Sequence, residues 1–429
     1  MTHSATSQHR QVLVLLTALS ALAFMDRQII AVLIQPVKAE FGLSDLQIGL
    51  VTGLGYALTF ALIGLPLARH ADHGGRRDLV AWCRGLGGLL AALGGAATGF
   101  WSLMASRAGG AISDAGAGPA SLSMLADLYP PEQRSRAMSV FGTGGSIGAL
   151  LAMVGGGWLA QRYGWRATVV LVGCSTLCLS ALLRFVVTDP ARAAVPTLPD
   201  MPTAAASLQT GAVATIWREP VTRWLIVAAA CALLAGYAFG TWNTALLVRR
   251  HGLSLQGAGW VSGSAALASV LGGLAAGALT DHFTRQDLRW QIGVPILGVS
   301  IALPCALAYL ALPAGAIVPA VVLVTAFAFF ITWWVAPTYA ALSLVVPAQR
   351  RATASAMLML AGAVLASGFG PILTGGLSDV LEARLPGDGL RIALACMVGM
   401  LLPGLIAFAR VRAAYPAAHR VLHPATLAR

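Results

Sequence analysis

Gly42-Leu43-Ser44-Asp45-Leu46-Gln47-Ile48-Gly49 returns 210 residues later as Gly252-Leu253-Ser254-Leu255-Gln256-Gly257-Ala258-Gly259. Ala68-xxx-Asp72-His73-xx-Arg76 returns as Gly277-xxx-Asp281-His282-xx-Arg285 at an offset of 209, and Pro131-Glu132-Gln133-Arg134 as Pro347-Ala348-Gln349-Arg350 at an offset of 216. Three matches in chain order, at nearly constant spacing, identify an internal duplication. Each half of the chain is therefore a copy of one architecture.

Composition says which solvent that architecture lives in. Of 429 residues, 57% are hydrophobic and 10% charged, and the mean hydropathy is +0.77. A soluble domain carries about 25% charged residues. Apolar surface on this scale needs lipid around it. A span takes about 20 mostly apolar residues, and the runs predict twelve: roughly 12–37, 46–69, 78–98, 100–128, 136–160, 166–187, 221–248, 256–280, 290–312, 314–345, 352–378 and 389–411. Backbone groups in hydrocarbon must pair internally, so such runs are helices. The longest polar break, 188–220, contains TDPARAAVPTLPDMPTAAASLQTG and splits the spans six and six. Its Pro, Ala, Ser and Thr cannot make a core, and a short interfacial helix is expected near Trp217. The expected organisation is a cytoplasmic N-terminus (1–10), a six-helix bundle (11–187), a cytoplasmic linker (188–220), a second six-helix bundle (221–412) and a cytoplasmic tail (413–429). No small-residue cleavage site follows the first apolar run, so it reads as a span and not a signal peptide.

The net charge of +12 does not imply nucleic acid. All but one of the 28 basic residues are arginines, scattered singly or in pairs between apolar runs, with no basic stretch interleaved with aromatics. They set topology instead. With both termini inside, 18 face the cytoplasm, 7 the outside, and Arg27, Arg84 and Arg107 fall within spans. A bacterial inner membrane is the expected location. The six cysteines lie in apolar runs without metal spacing, and all eight histidines lie outside the runs. No metal site, no catalytic constellation and no cofactor are expected, so an enzyme is not.

Asp72-His73-Gly74-Gly75-Arg76-Arg77 resembles the major facilitator loop motif G-x-x-x-D-R/K-x-G-R-R/K, with Ala68 in place of the first glycine and His73 in place of the basic residue. Phe24-Met25-Asp26-Arg27-Gln28 looks like the "YMDR" element of spinster-like transporters and organic anion symporters. Arg107-Ala-Gly-Gly-Ala-Ile-Ser-Asp114-Ala-Gly resembles their RxxxGxxE stretch, with aspartate where glutamate is usual. The run from Ala126 to Ala137 is closer to the spinster-like branch. The resemblance implies an all-α membrane protein with the major facilitator fold, twelve transmembrane helices in two pseudo-symmetric six-helix bundles. It also implies alternating access, with Asp72, Arg76 and Arg77, echoed by Asp281 and Arg285, as a cytoplasmic gate of charges.

Of the sixteen acids only Asp26 and Asp114 sit well inside spans. Charge at that depth is costly and faces the bundle interior. Arg107 and Asp114 are two turns apart and share a helix face, whereas Asp26 and Arg27 diverge by about 100°. Burial raises a carboxylate's affinity for protons and a neighbouring arginine lowers it. The resemblance therefore implies Asp26 and Asp114 as proton-coupling sites, with protons the coupling ion, and Arg27 and Arg107 as gating or anion-binding partners. Arg84, one turn inside the third span, is expected to snorkel to the interface. Tyr56, Tyr237, Trp242, Asn243, Trp333 and Trp334 are expected to line a substrate cavity that is charged on one side and aromatic on the other. Such a cavity suits a lysolipid- or sphingolipid-type amphipathic solute. Small organic anions such as sugar acids, or a drug exporter's cargo, are the alternatives. A monomer in the bilayer is expected.

Overall fold

The computed structural model describes residues 2–73, 75–187, 210–347 and 350–422, which among themselves are helices and short connections. The helices are α1 (Thr2–Phe41), α2 (45–73), α3 (Arg76–Gly94), α4 (Phe100–Leu128), α5 (131–163), α6 (165–186), α7 (Pro220–His251), α8 (Leu255–Thr284), α9 (Trp290–Ala311), α10 (Ile317–Val345), α11 (351–382) and α12 (389–422). Eight helical stretches are long and apolar enough to cross a membrane. The longest, Arg136–Val186, holds two spans, because Gly164 at φ 80° breaks it between α5 and α6. The three helices outside that set are α2, interrupted by a π-helical turn at Leu50–Leu54, and α3 and α4, which carry Arg84, Arg107 and Asp114. A further short helix, Thr210–Arg218, stands where one was expected near Trp217. Most of the linker, 188–209, lies outside the described residues.

The repeated Gly-Leu-Ser sequence is a turn with a physical job. Gly42 and Gly252 take φ of 61° and 66°, the left-handed conformation that closes a helix without a Cβ clash. Two residues on, Ser44 and Ser254 cap the next helix: Ser44 Oγ accepts from Gln47 N (3.2 Å) and Ser254 Oγ from Gly257 N (3.0 Å). At the first copy Gln47 Oε1 returns a bond to Ser44 N (2.9 Å), completing a capping box.

The chain forms two compact units, residues 1–199 with 247–263, and 200–246 with 264–429. In the first unit α3 packs on α4 and α6, α1 on α5, and α2 on α4. Glycines set these distances. A Cβ on Gly173 would stand 2.4 Å from Ala92 N, one on Gly87 2.6 Å from Ser113 Cβ, and one on Gly148 2.2 Å from Ala21 O. In lipid, close backbone approach is a main source of helix association. The sequence places the division at the linker, but packing puts residues 247–263 in the first unit. Two contacts explain it. Arg249 grips Asp45 through Nη1 and Nη2, both at 2.7 Å, and Leu255 N donates to Gln161 Oε1 at 3.2 Å. In the second unit α9 packs on α10 and α12, and α11 on α12. Its aromatic cluster, Phe329, Phe330, Trp333 and Trp290, surrounds Ala276 and Val294.

Candidate ion-coupling site

The interior charges of the first unit come together in pairs, each between two helices. Arg107 turns away from its helix mate Asp114 and reaches Asp26 on α1. Its Nη1 lies 3.2 Å from Asp26 Oδ1 and its Nη2 3.4 Å from Oδ2. The shortest bond runs from Nη2 to the backbone carbonyl of Asp26, at 2.8 Å. Both side chains are nearly sealed, at 6% exposure for Asp26 and 5% for Arg107.

Asp114 is held by a residue that sequence position misassigns. Arg84 is 3% exposed and does not snorkel. Its Nη1 donates to Asp114 Oδ1 at 2.8 Å and to Ser113 Oγ at 2.9 Å. The reason is local. Gly87 and Gly88 lie three and four residues on from Arg84, and leave α4 and α6 so close to α3 that the guanidinium has a protein wall around it. Those glycines, with Ser113-Asp114 facing them, are the sequence signal that could have placed it. Asp114 Oδ2 accepts from the Tyr56 hydroxyl at 2.9 Å. Arg27 in turn lies over the Tyr56 ring, 4.4 Å from its centroid, a cation–π contact. Arg27, Tyr56, Asp114 and Arg84 thus form one chain of contacts across α1, α2, α4 and α3. Tyr56, expected as a wall for solute, is tied to the charges.

A small cavity lies beside both pairs. Asp26, Gly110, Gly87, Ala91, Ser113 and Thr176 are among its walls, and about 10 Å³ of it is open to a water centre.

Of the expected gate residues, Asp72 lies outside those whose side chains are described. Arg76 is buried and donates to the Ser123 hydroxyl (2.9 Å) and to the Asp127 carboxylate at the end of α4. Arg77 donates to Asp78 (2.8 Å) and to the Val187 carbonyl (3.0 Å), while Arg184 approaches Asp78 at 3.2 Å. Asp127 and Asp78 are acids that the motif alone does not single out. In the second unit Asp281 and Arg285 are exposed.

The expected substrate aromatics of the second unit are mostly interior. Trp242 is fully buried and donates Nε1 to the Pro371 carbonyl at 3.1 Å. Trp333 and Trp334 are buried as well, Trp333 packed at a tilt against Phe330 with a centroid distance of 5.1 Å. Asn243 is buried, and its Oδ1, like Trp333 Nε1, has no hydrogen-bond partner among the described residues. Tyr237 keeps 36% of its surface.

Known proteins of the same shape and sequence now give this geometry a context. The Major Facilitator Superfamily profile matches residues 16–371. An "MFS-type efflux pump" of Mycolicibacterium smegmatis is 34% identical over 405 residues, covering 93% of this chain and 92% of that protein. The "Probable galactarate/D-glucarate transporter GudP" of Bacillus subtilis is 23% identical over 320 residues, covering 68% and 69%. Among solved structures, an inward-facing, unoccupied bacterial homologue of the human lysosomal transporter Spinster superposes with a TM-score of 0.80. It is 25% identical and covers 97% of this chain and 98% of its own.

Proposed function

This chain belongs to the Major Facilitator Superfamily, and on that premise we propose that it is a proton-coupled carrier that moves an amphipathic solute by alternating access. The observation that carries the reading is the pair of buried carboxylate–arginine contacts, Asp26–Arg107 and Asp114–Arg84. Burying four charges is expensive, and well-packed apolar residues would stabilise the bundle as well or better. Function is the reason to keep them. The geometry suits reversible protonation. Arg107 makes its best bond to the Asp26 carbonyl, so a proton on the Asp26 carboxylate leaves the arginine anchored to α1. A proton on Asp114 cancels its attraction for Arg84 and loosens the Tyr56 hydroxyl, on whose ring Arg27 rests.

The solute class rests on the unpaired polar atoms of Asn243 and Trp333 in the second unit, whose Trp333 belongs to an aromatic cluster, and separately on the arginines of the first. Kinship with a protein named as an efflux pump favours outward movement, and likeness to a Spinster homologue is consistent with a lipid-like cargo. A second reading, a symporter of sugar acids, draws on the galactarate/D-glucarate relative and on Arg27 and Arg107 as anion partners. Cytoplasmic termini, an inner-membrane location and a monomeric carrier belong to the same proposal, from the arginine bias.

Proteoliposomes carrying a pH gradient test it, with fluorescent lysophosphatidylcholine, ethidium and labelled galactarate as probes. Gradient-driven movement of either amphipathic probe is expected, with loss of gradient dependence in Asp26→Asn or Asp114→Asn. Full gradient-driven transport in both variants refutes the coupling, and transport of galactarate alone installs the second reading.

A further inference from the structure

At one end of the second unit three arginines lie on tryptophan rings. Phe408, Val411 and Tyr415 form the buried face of α12 there. Arg410 and Arg412 flank Val411, so each leaves that face by about 100°, on opposite sides. Both are exposed. Arg410 Cζ lies 4.5 Å from the ring centroid of Trp224 on α7, and Arg412 Cζ lies 5.9 Å from that of Trp290 on α9. Arg223, half-buried at the start of α7, adds a second guanidinium to the Trp224 ring at 5.9 Å. Gly404 lets the two helices approach: a Cβ there would stand 3.1 Å from Cys231 Cβ on α7.

Trp224 therefore collects two cations, and two like charges at one ring repel unless an anion joins them. A guanidinium laid on a ring spends its face and keeps its five N–H donors. Among the described residues, neither Arg223 nor Arg410 makes a side-chain hydrogen bond or an ion pair, and the Trp224 indole N–H is not engaged. The described acids of this end, Glu219, Asp281 and Asp287, are exposed and pair with neither. Both arginines stand where the apolar runs of their helices end, at the level of lipid headgroups. Leu402 and Ile406, both exposed, lead up to Arg410 at four-residue spacing, an apolar track on the same side of α12.

We propose that Arg223, Arg410 and Trp224 bind the headgroup of an anionic phospholipid, of which phosphatidylglycerol is the simplest bacterial case. The phosphodiester oxygens accept from the two guanidiniums, and an acyl chain runs along Ile406 and Leu402. The track selects a lipid over a free phosphate, which would use the donors and leave the apolar side chains idle. The charge selects an anionic lipid over phosphatidylcholine, whose quaternary ammonium the two arginines repel. On the orientation proposed above, this end faces the cytoplasmic leaflet, whose anionic lipids attract arginines beside a span. The binding itself does not rest on the transport reading.

Native mass spectrometry of the whole protein, titrated with phosphatidylglycerol or with phosphatidylcholine of the same chains, tests it without any transport. The first phosphatidylglycerol is expected to bind more tightly than the first phosphatidylcholine. Arg223→Gln and Arg410→Gln are each expected to weaken it about fivefold, the worth of one arginine against an anionic headgroup, and the double variant about 25-fold. Phosphatidylcholine binding is expected to stay unchanged in all three. Arg412→Gln, which removes a charge of equal exposure from a ring that holds one cation, is expected to leave the first phosphatidylglycerol within about twofold. Equal affinity for the two lipids in the natural protein would overturn the site, as would a preference that survives the double variant. An equal loss in Arg412→Gln would overturn it by marking a diffuse basic surface. Displacement of the lipid by millimolar inorganic phosphate would overturn it by marking a site for a soluble anion. The lipid comparison and the phosphate displacement need no variant, so they decide the matter even where a substitution unfolds the protein.

Discussion

Replacing Arg84 by glutamine separates two pictures of the first unit. A snorkelling arginine has its head in the headgroup region, and its loss costs under about 0.5 kcal/mol, as for most surface changes. The observed arginine is 3% exposed, with bonds of 2.8 and 2.9 Å to Asp114 and Ser113. Removing one partner of a buried pair costs about 3–5 kcal/mol, because the other charge is left without compensation. Asp114 keeps the Tyr56 hydroxyl and 22% of its side-chain surface, so it can draw in water. The expected loss is therefore at the lower end, about 3 kcal/mol. Arg84→Gln/Asp114→Asn removes both charges and preserves shape, and is expected to stay within about 1 kcal/mol of the natural protein, the worth of an ordinary hydrogen bond. Asp114→Asn alone leaves a buried guanidinium and destabilises on the scale of Arg84→Gln. Equilibrium unfolding in mixed micelles of the four proteins closes the cycle, with an interaction energy of about 5 kcal/mol, from two losses of about 3 against a double variant within about 1. Additive single effects, or an Arg84→Gln protein as stable as the natural one, would refute the buried pair.

Three further outcomes follow from the packing. Gly173→Ala puts a methyl 2.4 Å from Ala92 N at the α3–α6 contact and is expected to cost about 1–3 kcal/mol in the same unfolding assay; a neutral result would mean that the helices separate freely there. Trp242→Phe removes the bond to the Pro371 carbonyl while keeping most of the ring's bulk, for an expected loss of about 1 kcal/mol and faster amide hydrogen exchange next to Pro371. Asp45→Asn takes the anion from between Lys38 Nζ (2.5 Å) and Arg249 Nη2 (2.7 Å), and is expected to cost about 2 kcal/mol with loss of hydrogen-exchange protection across 247–263. Unchanged exchange in that segment would show that the ion pair does not hold it and that contacts such as Leu255 N on Gln161 Oε1 suffice.

How much could be read beforehand depends on whether a feature lives in one helix or between several. Apolar runs and the Gly-Leu-Ser repeats are properties of a single stretch, and the twelve helices with their caps at Ser44 and Ser254 follow from them. Asp26, Arg27, Arg107 and Asp114 stood out because charge inside an apolar run is conspicuous, and the structure places all four in one bundle. Who pairs with whom was not legible. Helical spacing puts Arg107 and Asp114 on one face, but a face is shared by two neighbours, and α1 and α3 divide it. Arg84 was hidden for a related reason: depth along a helix says nothing about whether lipid or protein flanks it. The aromatics raise the opposite question, since their burial was not legible either. Trp242, Trp333 and Trp334 look like ligand contacts in a list, yet large rings at the centre of a bundle fill volume first.

The two copies of the duplicated architecture have come to differ in the kind of polar contact they bury. Within the spans of the first unit the interior contacts include two pairs of full charges beside neutral bonds such as Ser180 on the Ala81 carbonyl: Asp26 with Arg107, Asp114 with Arg84. In the second unit the described interior contacts include neutral donors on carbonyls at prolines, Trp242 on Pro371 and Gln291 Nε2 on Pro337 at 2.9 Å, and threonines on helix carbonyls, Thr280 on Ala276 and Thr374 on Gly370. Neutral amide and indole groups carry no formal charge, whereas each pair in the first unit sets a carboxylate against a guanidinium. The second unit can respond only to what occupies it, through groups such as Asn243 Oδ1 and Trp333 Nε1 that still lack partners among the described residues.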